Sequence, residues 1–133
     1  MSKQRIAAFI ILGVLSMSLG FTYLFGLYGP TESEVRTWGL IEAAIGLIIV
    51  LLGFTIGSKY FRSLLAVILS VNVLLQILPT ILWFSFHGYG ISDGTPPSDF
   101  VARWYYSLPH IITGLLSIMG VLSLLKPSGK NNI

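Results

Sequence analysis

Four long apolar segments, separated by short polar ones, make up most of the 133-residue chain. They cover residues 6–28, 38–56, 64–86 and 104–125, and none contains a lysine, an arginine or an aspartate. The hydrocarbon core of a bilayer is about 30 Å thick, and a helix that rises about 1.5 Å per residue crosses it in about 20 residues. The pattern therefore predicts an all-α fold, a four-helix transmembrane bundle that forms a single domain.

The composition agrees with this prediction. Hydrophobic residues make up 54% of the chain and charged residues 10%, and the mean hydropathy is +0.84. An average soluble domain has about 25% charged residues. The net charge of +3 is spread along the chain and forms no basic cluster of the kind that binds nucleic acid. We therefore expect the lipid bilayer to surround the protein, and we expect no nucleic-acid partner.

The distribution of lysine and arginine predicts the orientation. The segments before the first span, between the second and third, and after the fourth carry six of these cations and no acidic residue: Lys3, Arg5, Lys59, Arg62, Lys126 and Lys130. The opposite side carries only Arg36 and Arg103, together with all the acidic residues outside the spans. Excess lysine and arginine mark the cytoplasmic side of a membrane. The N- and C-termini are therefore predicted to be cytoplasmic, in a multi-pass protein of the cell membrane.

Two segments outside the spans are predicted to lack regular structure. The external loop 87–103 is long and rich in glycine and proline, residues that disfavour helices and strands. Its interpretation is open between a lid, a docking surface and a plain connector. The tail 127–133 is predicted to be disordered.

Each span carries one stripe of small or polar residues. In lipid, helices associate through close packing of small side chains and through interhelical hydrogen bonds. Gly39, Gly46 and Gly53 recur every seven residues in the second span, and Glu42 lies on the same face. These stripes are predicted to face the interior of the bundle. We also expect Pro79 and Pro109 to kink their helices and to widen the outer half of the bundle. The stripes of the other spans comprise Gly13, Ser16, Gly20 and Tyr23; Asn72, Gln76, Thr80, Trp83 and His87; and Arg103, Tyr106, His110, Thr113, Gly114 and Ser117.

Glu42 is the main candidate for a functional residue. Carboxylates inside a bilayer are costly and usually face a partner or a water-filled cavity. By depth along the helices, His110 and Tyr23 lie near its level, whereas Gln76 and Asn72 lie deeper. These five residues are the ligand-binding candidates. The alternative is that their side chains only hold the helices together through hydrogen bonds.

Most catalytic chemistry is excluded. The chain has no cysteine, which excludes thiolate metal ligands and a thiol nucleophile. The two histidines and few carboxylates show no metal-site spacing, and no Ser-His-Asp set occurs. An acid–base pair of Glu42 and His110, as in a membrane isomerase, remains open. We expect no catalytic activity of the chain's own and identify no catalytic residue. No cofactor is required, although a quinone or a lipid is compatible with the site.

Aromatic residues cluster at the ends of the spans on the external side. Tryptophan and tyrosine are enriched where a membrane meets water. We therefore predict an aromatic belt at the outer interface, formed by Trp38, Trp83, Trp104, Tyr105 and Tyr106.

One region resembles a known family. Residues 39–47 read Gly-Leu-Ile-Glu-Ala-Ala-Ile-Gly-Leu, followed by Leu-Gly-Phe at 52–54, a short basic turn and Arg-Ser-Leu-Leu-Ala at 62–66. This region, 39–76, resembles the DoxX-like superfamily of small four-helix membrane proteins, whose members commonly show a glutamate followed by a glycine-rich apolar helix. Members are linked to membrane oxidoreductase assemblies, including thiosulfate- and quinone-coupled ones. The resemblance implies a redox-associated membrane subunit with Glu42 at the family's glutamate position.

Two functions follow as hypotheses. In the first, the protein is an accessory subunit of a larger, oxidoreductase-linked membrane assembly, with other membrane proteins or further copies of itself as partners. In the second, it binds a small molecule, a lipid or a quinone, as an isomerase-type enzyme or a carrier, in an outer-leaflet cavity around Glu42 and His110.

Overall fold

The helical architecture predicted from the apolar segments is confirmed. A computed structural model of the chain describes residues 3–26, 33–55, 59–88, 90–91 and 100–125. These residues form a four-helix bundle in which each helix, with the 3-10 turn before the last one included, is long and apolar enough to cross a membrane. The elements are α1 (Lys3–Leu24), α2 (Ser33–Gly53), α3 (Lys59–Ser85), a 3-10 turn (Trp104–Ser107) and α4 (Leu108–Leu125). The tail 127–133 lies outside the described residues.

The helices and the apolar segments differ at their ends. α1 begins at Lys3 and α2 at Ser33, each several residues before its apolar segment, because backbone hydrogen bonding continues into polar residues. α1 also ends earlier than its apolar segment. Gly26 adopts a φ of 70°, and its N–H donates to the carbonyl of Tyr23 (3.2 Å), as in a left-handed helix cap.

The helices form a ring in chain order. α1 packs against α2 and α4, and α3 packs against α2 and α4. The diagonal helices of the described bundle meet through side chains alone, as between Trp83 and Tyr23. Successive helices run antiparallel. The start of α1, the start of α3 and the end of α4 therefore meet at one end of the bundle, where Arg5 contacts Ser123 and Arg62 contacts Leu124.

Glycines bring the backbones of α1 and α2 into contact. A Cβ atom built on Gly20 would lie 2.5 Å from the backbone nitrogen of Ala43 and 2.5 Å from the carbonyl oxygen of Gly39. One built on Gly46 would lie 2.6 Å from the carbonyl oxygen of Gly13. Only glycine permits this approach, as expected for helices that pack through small residues.

Two apolar clusters enclose the polar centre of the bundle. The larger one lies towards the end where α1 starts and includes Ile49, Leu65 and Leu69, each with no exposed surface. The smaller one lies at the opposite end and combines Leu19, Tyr23, Trp83 and Ala102. The buried polar residues of the stripes therefore lie between two apolar layers. The prediction that the stripes face the interior is wrong for His87 and Arg103, which are exposed.

The loop 87–103 has more regular structure than predicted. Gly90–Ile91 pairs antiparallel with Phe100–Val101, so the prediction of wholly irregular backbone is wrong at these residues. Gly88, with a φ of 89°, turns the chain, and its N–H donates to the carbonyl of Ala102 (2.8 Å). Residue 89 and residues 92–99 lie outside the described part of the chain.

The two prolines have different positions. Pro79 lies in the interior of α3, as predicted. Pro109 is the second residue of α4, in the first turn, where a backbone N–H has no helical acceptor to lose. The prediction that Pro109 kinks its helix is therefore wrong.

Candidate functional site

The side chain of Gln76 connects Glu42 and His110 at the centre of the bundle. Its Nε2 donates to Glu42 Oε1 at 3.0 Å, and its Oε1 lies 2.8 Å from His110 Nδ1. An amide oxygen only accepts hydrogen bonds, so His110 Nδ1 is the donor in this contact. These hydrogen bonds link α2, α3 and α4, and they bring Gln76, which was predicted to lie deeper, into contact with both Glu42 and His110.

The second ring nitrogen of His110, Nε2, contacts Tyr23 of α1. The hydroxyl oxygen of Tyr23 lies 2.6 Å from His110 Nε2. A neutral imidazole that carries its proton on Nδ1 accepts at Nε2, so Tyr23 donates to it. The indole N–H of Trp83 in turn donates to the Tyr23 hydroxyl oxygen at 2.8 Å. Hydrogen bonds therefore run in series from Trp83 through Tyr23, His110 and Gln76 to Glu42.

Asn72 extends the network to two serines. It lies one turn before Gln76 on α3, and its Oδ1 accepts from Gln76 Nε2 at 3.1 Å. Its Nδ2 is 3.0 Å from Ser16 Oγ on α1 and 3.1 Å from Ser117 Oγ on α4. All five ligand-binding candidates thus belong to one network with members on all four helices.

Asn72 also lies against the carboxyl group of Glu42. With the amide rotated by half a turn, its nitrogen donates to Glu42 Oε2 and Oε1 at 2.8 and 3.0 Å, and its oxygen accepts from Ser16 and Ser117 at 3.0 and 3.1 Å. In both orientations the amide of Asn72 contacts Glu42 and the two serines.

The network is closed to its surroundings. Glu42, Asn72 and His110 are each 0% exposed, so no water-sized space touches them. Aromatic rings cover the network on the side of the loop 87–103. The ring centroid of Trp38 lies 4.9 Å from that of Tyr23 and 5.5 Å from that of His110. In this arrangement the outer-leaflet cavity that was expected around Glu42 and His110 is filled by side chains.

The aromatic belt differs from the prediction at Trp83. Trp104 and Tyr105 are exposed, as a belt requires, but Trp83 is buried and hydrogen-bonded to Tyr23. The signal for this was present in the sequence. Trp83 lies seven residues after Gln76, which places both on the same face of a helix.

Thr113 differs from the other polar residues of the core. It lies on α4 between His110 and Ser117 and is 0% exposed. Its Oγ1 has no hydrogen-bond partner in the described part of the chain. A buried hydroxyl without a partner destabilises the fold. The sequence analysis placed Thr113 on the polar stripe of its span but did not predict that its hydroxyl lacks a partner among the described residues.

The arrangement limits what Glu42 and His110 can do as an acid–base pair. Both are hydrogen-bonded to Gln76, which separates them. Proton exchange with a substrate therefore requires Gln76 to move.

Within the described residues, no three or more His, Cys, Asp or Glu side chains are grouped to hold a metal ion. His87 is exposed, and its Nδ1 accepts from the backbone N–H of Trp104 at 2.9 Å.

No protein-family model, curated protein or solved structure matches this chain. The DoxX-like character of residues 39–76 therefore stays a prediction.

Proposed function

We propose that the protein is a multi-pass protein of the cell membrane with both termini on the cytoplasmic side. Four apolar helices of sufficient length support the membrane location. The orientation is supported by the sequence segments before the first span, between the second and third, and after the fourth, which carry six cations against two in the other segments. Reporter fusions at Lys130 test it. Activity of a cytoplasm-dependent reporter is the expected result, and activity of an externally active reporter would contradict the orientation.

We further propose that the protein is a non-catalytic accessory subunit of a larger membrane assembly. The observation that carries this proposal is that the five ligand-binding candidates already have hydrogen-bond partners within the bundle. The five candidate side chains bind one another or neighbouring serines and a tryptophan, and the central ones have no exposed surface. In a membrane, such hydrogen bonds hold helices together.

The remaining functional surface is the apolar exterior. Each helix exposes large apolar side chains, and contact with lipid or with another membrane protein is the role that such side chains fit. The DoxX-like resemblance adds the class of assembly, an oxidoreductase-linked one. The proposal requires no cofactor held by this chain alone. Exposed examples from the four helices are Ile11, Leu40, Leu51, Leu74, Leu78 and Met119.

Purification in a mild detergent tests the accessory role. The tagged protein is extracted from its native membrane, and the mass of the intact complex is measured by native mass spectrometry. The expected result is a complex with a second membrane polypeptide in fixed proportion. An unrelated four-span protein with the same tag and expression level is the control. A stable, isolated bundle would contradict the proposal. A complex that contains only copies of this chain would also contradict the accessory role and would show that the protein associates with itself.

A second candidate function is a ligand or proton site at Glu42. The specific observation in its favour is a carboxyl group, that of Glu42, buried within an apolar helix, because carboxyl groups inside a membrane are costly and often functional. A quinone, a lipid or another small molecule would have to displace Gln76 and the covering rings of Tyr23 and Trp38.

The Glu42→Gln substitution separates the two functions. Glutamine keeps the size of the side chain and most of its hydrogen bonds, so the accessory role predicts unchanged assembly. The site hypothesis predicts loss of ligand binding or proton uptake while the assembly remains intact. Retention of both would exclude a functional site at Glu42.

A further inference from the structure

A row of aromatic side chains leads from the polar network to the surface of the bundle. Trp83 donates its indole N–H to the Tyr23 hydroxyl, and its ring centroid lies 5.1 Å from that of Tyr106. The ring of Tyr106 lies 5.0 Å from that of Tyr105, which in turn lies 5.9 Å from that of Trp104. These are contact distances for aromatic rings. Tyr23 and Trp83 are buried, whereas Trp104 and Tyr105 are 44% and 46% exposed, so the aromatic row connects the buried hydroxyl to the surface.

The row consists of the two residue types that support one-electron chemistry. Tryptophan and tyrosine are the side chains that lose a single electron most readily in a chain that has no cysteine. The radical that remains is delocalised over the ring. Electron transfer between rings in contact is fast, because its rate falls steeply with distance. A radical formed at the exposed end of the row can therefore move inwards from ring to ring.

The buried end of the row has a proton acceptor. The hydroxyl of Tyr23 donates to His110 Nε2 across 2.6 Å. His110 Nδ1 already carries the proton that it donates to Gln76 Oε1, so Nε2 is the nitrogen that can take up another. A phenol that has lost an electron is a strong acid and passes its proton to a hydrogen-bonded base. The resulting radical oxygen of Tyr23 is held by hydrogen bonds from Trp83 and from the protonated His110.

Simpler roles account for parts of this arrangement. An aromatic belt at the membrane surface explains the exposed rings of Trp104 and Tyr105. Interhelical hydrogen bonding explains the contact between Tyr23 and His110. Neither role requires that the buried tyrosine with a base on its hydroxyl is also the end of a row of rings that reaches the surface. This combination is what a redox-active tyrosine requires.

We propose that Tyr23 is a redox-active tyrosine that the aromatic row connects to the surface. A one-electron oxidant at the exposed end of the row takes up one electron and is thereby reduced. The electron deficit moves to Tyr23, whose O–H bond breaks as the proton binds to His110 Nε2. The products are a neutral tyrosyl radical, an imidazolium and the reduced oxidant. The oxidant is a high-potential metal centre of a partner protein, and this assignment rests on the proposed oxidoreductase-linked assembly.

A photogenerated oxidant tests the tyrosine without a partner protein. Tris(bipyridine)ruthenium(III), formed by a laser flash in the presence of persulfate, is used with the protein purified in a neutral detergent. Transient absorption distinguishes tyrosyl from tryptophanyl radicals, and samples frozen after the flash are measured by high-field EPR. The expected result is a long-lived tyrosyl radical whose lowered gx value shows hydrogen bonds to its oxygen. Absence of a long-lived tyrosyl radical would overturn the proposal.

Substitutions locate the radical. Tyr23→Phe removes the buried phenol and should abolish the long-lived tyrosyl radical. Tyr60→Phe removes an exposed tyrosine at the start of α3, outside the aromatic row, and should leave the yield of the radical unchanged. The same yield in Tyr23→Phe as in the wild-type protein would overturn the assignment to Tyr23. A missing partner in native mass spectrometry would remove the named oxidant but leave the radical of the purified protein unchanged, so the two results are independent.

Two further variants test the proton acceptor and the aromatic row. His110→Gln keeps a polar side chain in the core but removes the base, and it should slow formation of the radical at least about a hundredfold, the contribution of a positioned base. Tyr106→Phe keeps the ring but interrupts the row with a side chain that is not readily oxidised, and it should also slow formation of the radical. Unchanged rates in both variants would contradict the path and the proton transfer. If His110→Gln fails to fold, the wild-type gx value decides, and a value typical of a tyrosyl radical without hydrogen bonds would contradict the role of His110.

Discussion

The two helix pairs of the bundle pack by different means. α1 and α2 meet through backbone atoms, because the glycines on both helices leave no space for a Cβ. α3 and α4 meet through side chains. A Cβ on Gly114 would lie 3.6 Å from the Cβ of Gln76, an ordinary contact, and one on Gly120 would meet chiefly the flexible end of Leu69.

This difference separates a fixed half of the bundle from an adjustable one. Backbone contacts allow one spacing of α1 and α2, since neither helix can adjust without losing them. The spacing of α3 and α4 depends on the rotamers of side chains such as Gln76, which also belong to the polar network. Any movement that opens the core is therefore expected between α3 and α4.

The largest effect is expected from a methyl group between α1 and α2. Gly20→Ala places a Cβ against rigid backbone of α2 and should lower the free energy of unfolding by about 3 kcal/mol, the upper end of the usual cost of overpacking. Gly114→Ala is the matched control on α4. It should be neutral or stabilise by up to about 1 kcal/mol, since alanine favours helices. The free energy of unfolding of both variants is measured in mixed micelles. Equal losses of stability in Gly20→Ala and Gly114→Ala would contradict the difference between the two helix pairs.

The next largest effect is expected at Gln76. Gln76→Leu leaves Glu42 and His110 buried without their shared partner and should cost about 2–3 kcal/mol, because unsatisfied buried groups are expensive. Leu78→Ala, at an exposed position of the same helix, serves as the control and should cost less than about 1 kcal/mol. A loss at Gln76 no greater than that control would show that the network does not stabilise the bundle.

Tyr23→Phe should have a smaller effect. The substitution keeps the ring but removes the hydroxyl that binds His110 and Trp83, and single hydrogen bonds in membrane proteins contribute about 0.6 kcal/mol on average. We expect a loss of about 1 kcal/mol and a change in Trp83 fluorescence. Tyr105→Phe, at an exposed tyrosine, should change neither quantity. An unchanged Trp83 signal in Tyr23→Phe would contradict the contact between the two residues.

The smallest expected effect has the opposite sign. Thr113→Val replaces a buried hydroxyl that has no partner among the described residues with a methyl group of similar size. It should raise the free energy of unfolding by about 1 kcal/mol. Thr80→Val, which removes a hydroxyl bound to the carbonyl of Gln76 at 2.7 Å, should instead destabilise. Loss of stability in Thr113→Val would show that its hydroxyl has a role in the fold.

The sequence predicted the helices and the members of the core because both depend on local patterns. Apolar length identifies a span, and the spacing of Glu42, Gln76 and His110 on polar stripes identifies the inward faces. The features that the sequence did not predict depend on contacts between helices. The relative heights of the helices bring Tyr23 to Trp83 and leave the hydroxyl of Thr113 with no partner among the residues that the structure describes. These heights depend on how four helices pack together, which the pattern of a single helix does not show. Pro109 was misinterpreted because the start of α4 was placed one turn too early.

Hydrogen exchange of the Gln76 side-chain amide, followed by solid-state NMR in bilayers, tests the closed polar core most directly. A network in which Gln76 is buried and hydrogen-bonded to Glu42 and His110 predicts that these amide protons persist long after transfer to deuterated buffer. The backbone amides of α3 beside them are expected to persist as well. Exchange as fast as that of an exposed side-chain amide would show that water reaches Glu42 and His110, and would contradict the closed core on which the accessory role rests.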